Sequence, residues 1–199
     1  MAVKTALAPH VEVFALQLHP HAVTLADIAR GESVFFFLRD PIQRFVSGFN
    51  SRLRQGRPRL NRPWNEGEAR AFGIFSTPNA LAEALAVRRD DALEAMAQIR
   101  HVNHPLSYWI GTSAILETRL CDVVWIGRTE TLPQDFAVIR ERLGLPASAA
   151  LPEDEIGMHR TPQGMETWLS DQGRAAIAAW YADDYRLLDA VDRFRMRLL

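Results

Sequence analysis

Arg39 and Ser47 carry side chains suited, eight residues apart, to binding an anion together. A guanidinium offers a planar fork of N–H donors that matches a phosphate, and a serine hydroxyl adds a further donor. What must position them is legible in the flanking sequence. Arg39 closes the apolar run Val34-Phe35-Phe36-Phe37-Leu38, long enough for a strand buried on both faces. Asp40 can cap a helix, with Pro41 at its first position, where a missing N–H costs nothing. Ile42, Phe45, Val46, Phe49 and Leu53 recur at helical spacing and make one apolar face. Gln43, Arg44, Ser47, Asn50, Ser51 and Arg54 fall on the other, and Gly56 is a stop signal. Arg39 therefore stands at the carboxyl end of a strand, where open α/β sheets bind ligands. Ser47 lies nearly two turns into the following helix, whose first N–H groups favour an anion. The plainer alternative is an Arg39–Asp40 pair at a strand end, with Ser47 merely solvated.

The pattern Arg39-Asp40-Pro41-x-x-Arg44-x-x-Ser47 resembles the 3′-phosphate-binding motif of sulfotransferases that use 3′-phosphoadenosine 5′-phosphosulfate (PAPS). The resemblance implies that Arg39 and Ser47 hold that phosphate. It also implies an α/β fold of the P-loop, nucleoside-kinase-like sulfotransferase type, a mainly parallel sheet flanked by helices. Residues 1–199 would form one domain, with a helical and loop insertion at about 56–120.

A second block supports the likeness. Val123-Val124-Trp125-Ile126 reads as a buried strand, followed by Gly127-Arg128-Thr129-Glu130. A helix follows, capped by Thr131 with Gln134 completing a capping box. Phe136, Ile139 and Leu143 form its apolar face and Gly144 ends it. This resembles the family's strand, Gly-Arg-x-Glu and helix block, and implies that Arg128 reaches the nucleotide. Glu130 is expected to fix Arg128 or Arg44. Met158-His159-Arg160-Thr161 resembles the late loop that folds over the cofactor, which adds Arg160 to the cofactor contacts. Tyr181-x-x-Asp184-Tyr185 matches a terminal family pattern and is expected to serve packing.

Sulfuryl transfer to a hydroxyl needs a base, and an imidazole titrating near neutrality suits that task. His19-x-His21 follows a predicted strand at 11–18 and resembles the His-x-His pair of uronyl 2-O-sulfotransferases. That likeness makes His21, or else His19, the general base, and a carbohydrate hydroxyl the acceptor, with PAPS converted to 3′-phosphoadenosine 5′-phosphate (PAP). One family feature is missing. No glycine precedes Gly31, so Lys4-Thr5 cannot be read as a phosphate-wrapping loop. Residues 1–8 read as the helix that follows such a loop, which is expected to lie upstream or to have been lost. The alternative function is a relative that binds a 3′-phosphorylated nucleotide or an anionic glycan without transfer. A P-loop nucleotide hydrolase is disfavoured, because no G-x-x-x-x-G-K-[ST] occurs.

Composition bounds the remaining classes. With 48% hydrophobic and 24% charged residues, the 199-residue chain is of ordinary globular type. A net charge of −1 gives no pull toward nucleic acid or an anionic membrane. Lys4 is the sole lysine beside 22 arginines, so arginine must make nearly every cationic contact. Cys121 is the only cysteine, which excludes an internal disulfide. No apolar run nears the roughly 18 residues of a membrane span and no basic-then-apolar leader opens the chain, so a cytoplasmic location is expected. His101 and His104 lack an evident carboxylate partner, so no metal is expected. Arg52, Arg54, Arg57, Arg59 and Arg62 form either a rim for an anionic substrate or a solvated basic surface. Helices are predicted at about 80–87, 90–99 and from 170 to the end.

Overall fold

The computed structural model describes residues 2–20, 23–58, 60–154, 162 and 164–198. In chain order the elements are α1 (Ala2–Leu7), β1 (Val34–Leu38), α2 (Pro41–Leu53), α3 (Glu66–Ile74), α4 (Pro78–Ala86), α5 (Asp90–Gln98), α6 (Ser107–Ile110), α7 (Ser113–Thr118), β2 (Val123–Arg128), α8 (Leu132–Arg142), α9 (Asp171–Trp180) and α10 (Ala182–Leu198). Short 3-10 turns stand at Ala8–His10, Leu25–Asp27 and Leu120–Asp122. Among the described residues no helix is long and apolar enough to cross a membrane. The chain divides into two compact units. The first comprises Met1–Arg39, Leu106–Arg160 and Arg186–Leu199, and the second Asp40–Pro105 and Thr161–Tyr185.

The first unit holds the sheet. β1 pairs with β2 in parallel, from Val34 opposite Val123 to Leu38 opposite Arg128, with an irregularity after Val34. The run at 34–38 is half-buried except for Leu38, not buried on both faces as its composition implies. Phe35 and Phe37 pack with Phe14, Leu16 and Leu18 on a core of Leu7, Phe136, Leu145 and Ala149. Gly127 is required by this packing, because a Cβ there would stand 2.3 Å from the Phe37 ring. The entry to the strands is tied by Arg119, which bonds Asp122 at 2.6 Å and the carbonyls of Leu25, Ile28 and Ala29 at 2.7–2.9 Å.

The strand predicted at 11–18 does not form. The chain turns at 11–15, with Leu16 N–H bonded to Val11 O at 2.9 Å and Ala15 at φ 48°. The alternation is still meaningful. Phe14, Leu16 and Leu18 face the core and Val13 is 80% exposed. Period-two patterning chose the buried side, but only a neighbouring strand could have supplied the ladder.

The second unit is helical. α2 begins as its sequence dictates: Asp40 Oδ1 accepts the Gln43 N–H at 3.0 Å and Pro41 opens the first turn. Phe45 and Phe49 sit fully buried with Phe72, Leu81, Met96, Ile99 and Ile177. α3, which the sequence reading did not anticipate, starts from an Asn65 cap completed by Glu68. Arg52 and Glu68 form a bidentate pair at 2.6 and 2.7 Å, with the side chains 3% and 0% exposed. Arg52 is therefore part of neither a substrate rim nor a solvated surface. Trp64 anchors the following loop, donating to Arg52 O at 2.7 Å.

The acid response of the fold follows from three groups. Burial pushes the Glu68 carboxyl up, but Arg52 and the N–H groups of Asn65 and Arg100 outweigh it, so the net direction is down. Asp122 is lowered by its bond to Arg119. Burial and the Arg44 charge lower His104. All three favour the deprotonated form in the native state, so each contributes stability above its ordinary value that is lost as pH falls through its native value. The urea midpoint is expected to be level above about pH 6.5, to ease downward below it through His104, and to drop steeply below about pH 4. A midpoint constant to pH 3 would contradict this assignment.

Candidate functional site

In the first unit, the carboxyl ends of β1 and β2 lie side by side. Thr129 N–H bonds Leu38 O at 2.8 Å, extending the pairing past the strands. This brings Thr129 Oγ1 to 3.1 Å from Arg39 Nε, and that hydroxyl donates in turn to Glu130 Oε1 at 3.2 Å. Arg39 is half-buried. Burial lowers its pKa and the Glu130 charge opposes the shift. A desolvated guanidinium held by one hydroxyl suits an anion, because its field is less screened than in water. Glu130 thus acts next to Arg39, whereas Arg44 pairs with Asp184 and Arg128 with Asp192.

Arg128 ends β2. Its guanidinium bonds Asp192 Oδ2 at 2.6 Å, and its N–H bonds Asp135 Oδ2 at 2.9 Å. Asp135, 3% exposed, also accepts from Trp125 Nε1 at 2.9 Å, Thr131 Oγ1 at 2.6 Å and Arg195 at 2.7 Å. The predicted Thr131–Gln134 capping box is absent, and Thr131 makes no side-chain cap bond. A carboxylate four residues on satisfies Thr131 instead and binds strand to helix. Asp135 was missed in the sequence because its donors come from four separate positions. His19 is half-buried in the segment after the turn, not at a strand end, and its carbonyl accepts from Lys4 Nζ. His21 and Arg160 lie outside the described residues.

In the second unit, Ser47 is half-buried on α2. Arg44, one turn earlier, is a structural residue. It donates to Asp184 Oδ2 and His104 O, and its guanidinium lies 4.7 Å from the Tyr181 ring centroid. Tyr181 donates to Val102 O, and Tyr185 donates to Asp40 Oδ2 at 3.1 Å. Gly48 admits the 101–104 segment, since a Cβ there would stand 3.2 Å from His101 Cβ. Tyr-x-x-Asp-Tyr therefore does more than pack. Each of its three named side chains bonds to the start of α2 or to the segment lying against it.

The sequence profile described as the Sulfotransferase family matches residues 15–189. The chain belongs to the sulfotransferase family. The match spans both motif blocks and the Tyr-x-x-Asp-Tyr segment, and sulfuryl transfer is the reaction of that family. The helix-rich architecture with a small parallel sheet agrees with an α/β sulfotransferase fold. Comparison with curated proteins and with solved structures gave no match.

Proposed function

We propose that this sulfotransferase takes its sulfuryl group from PAPS and delivers it to a hydroxyl of a carbohydrate acceptor. The observation that carries the nucleotide half is Arg39: a half-buried guanidinium at the end of a parallel strand pair, held by Thr129 and followed at once by a helix start. The Arg39 fork of donors is chemically suited to a phosphate, which supports the 3′-phosphate of the nucleotide as its ligand. In this reading Arg39 and Ser47 bind that phosphate, and Arg128 and Arg160 make further nucleotide contacts. His21, or His19 in its stead, accepts the proton of the attacking hydroxyl. Bound PAPS supplies the activated sulfuryl group. The carbohydrate acceptor rests on the His-x-His likeness.

Calorimetric titration of the full chain with PAP and with adenosine 5′-phosphate tests the nucleotide half. Binding at micromolar PAP that weakens at least about tenfold without the 3′-phosphate is the expected result, because that group would make the charge-assisted contacts. Equal affinity for the two nucleotides would overturn it. Transfer of labelled sulfate from PAPS to a uronic-acid-containing glycan, and its loss in a His19→Ala/His21→Ala variant, tests the acceptor half separately.

A further inference from the structure

We propose that Tyr185 and Asp184 are positioning residues for the phosphate-binding start of α2, an inference that rests on the nucleotide reading above. The starting point is the carboxylate of Asp40. It stands at the N-terminus of α2, where the helix otherwise favours an anion, so its charge opposes a phosphate arriving there. Its two oxygens are both engaged: Oδ1 by the Gln43 N–H at 3.0 Å and Oδ2 by the Tyr185 hydroxyl at 3.1 Å. With both engaged the carboxylate has one orientation, and part of its charge is spread onto a half-buried donor. Burial and Asp40 raise the Tyr185 pKa to about 12, so the hydroxyl remains a donor throughout the neutral range.

Asp184, one residue earlier on α10, acts one turn further along α2. It holds Arg44, whose guanidinium also bonds His104 O and lies over Tyr181. Arg44 precedes Ser47 by three residues, so it lies on the same side of the helix one turn away. The Tyr185 and Asp184 contacts together fix the cap and the turn that carries the hydroxyl. Tyr185 touches no nucleotide in this scheme. It acts through Asp40, and Asp184 acts through Arg44.

The test uses the full chain and Tyr185→Phe, which keeps the ring and removes only the O–H. PAP affinity is expected to fall about tenfold, with adenosine 5′-phosphate affinity unchanged within about twofold, as the loss of one charge-assisted bond predicts. The thermal midpoint is expected to move by less than about 4 °C. In an Asp40→Asn background, where the cap survives without its charge, Tyr185→Phe is expected to have no further effect on PAP. Asp184→Asn should weaken PAP in the same sense. If that variant fails to fold, Tyr185→Phe still decides the matter. Equal loss of both nucleotides with a falling midpoint assigns Tyr185 to packing and overturns the proposal. Unchanged PAP binding by Tyr185→Phe also overturns it, and leaves the nucleotide reading standing. Failure of the unmodified protein to bind PAP removes both.

Discussion

Replacing Arg39 with alanine is expected to weaken PAP binding about 100-fold, the worth of a bidentate charge-assisted contact in a partly desolvated setting. The Arg39 guanidinium uses Nε on Thr129 Oγ1 at 3.1 Å, and in the proposed site the terminal nitrogens of the fork would meet the phosphate. Burial lowers its pKa, yet a guanidinium keeps its charge at neutral pH. Its structural role is small by comparison, because the Thr129 bond contributes only about 1 kcal/mol. Binding and stability should therefore separate in the alanine variant, with affinity lost and the urea midpoint nearly retained. Arg39→Lys keeps the charge but not the fork and should fall between parent and alanine variant. Calorimetry on the three proteins reads this directly. An alanine variant binding PAP within threefold of the parent would remove Arg39 from the site.

The largest stability effect is expected at Glu68. Truncation to alanine leaves the Arg52 guanidinium buried, with carbonyls of Arg62 and Pro63 at 3.3 and 3.2 Å as its remaining bonds. It also deprives the N–H groups of Asn65 and Arg100 of their acceptor, at 3.2 and 3.1 Å. Removing one partner of a buried ion pair costs about 3–5 kcal/mol. With a urea slope of about 2 kcal/mol/M, the midpoint should drop by roughly 2 M. Converting the pair to Arg52→Met/Glu68→Leu should restore the part of the loss due to the unpaired charge, while the Asn65 and Arg100 N–H groups still lack their acceptor. A Glu68→Ala midpoint within 0.3 M of the parent would show that solvent or another group compensates Arg52.

These two residues mark the boundary between what was legible in the chain and what was not. β1, the Asp40 cap, Pro41 at the helix start and the Gly144 stop, with its φ of 62°, are written in adjacent residues. Strand runs, caps and left-handed turns are local chemistry, and local chemistry can be read from a sequence. The family was legible for the same reason, since Arg39-Asp40-Pro41-x-x-Arg44-x-x-Ser47 is a resemblance carried by residues close together in the chain. Placement of polar side chains was not local. Spacing put Asn50 on the polar face of α2 and Arg52 in a rim or solvated surface, yet both are buried. Their partners, the carbonyl of Glu166 and the carboxylate of Glu68, lie far along the chain. Residues 11–18 carry a strand's alternation without a strand's neighbour, so they turn instead. Asp135 looks like an ordinary surface residue of an amphipathic helix until packing brings it to Trp125, and the Tyr-x-x-Asp-Tyr pattern marks Asp184 and Tyr185 without naming their partners, Arg44 and Asp40. Adjacent residues settled the strand-to-helix turn, the placing of a guanidinium and a serine hydroxyl around it, and the family. Which arginines are committed to internal carboxylates depends on the folded packing, because a buried charge is defined by what the fold places beside it.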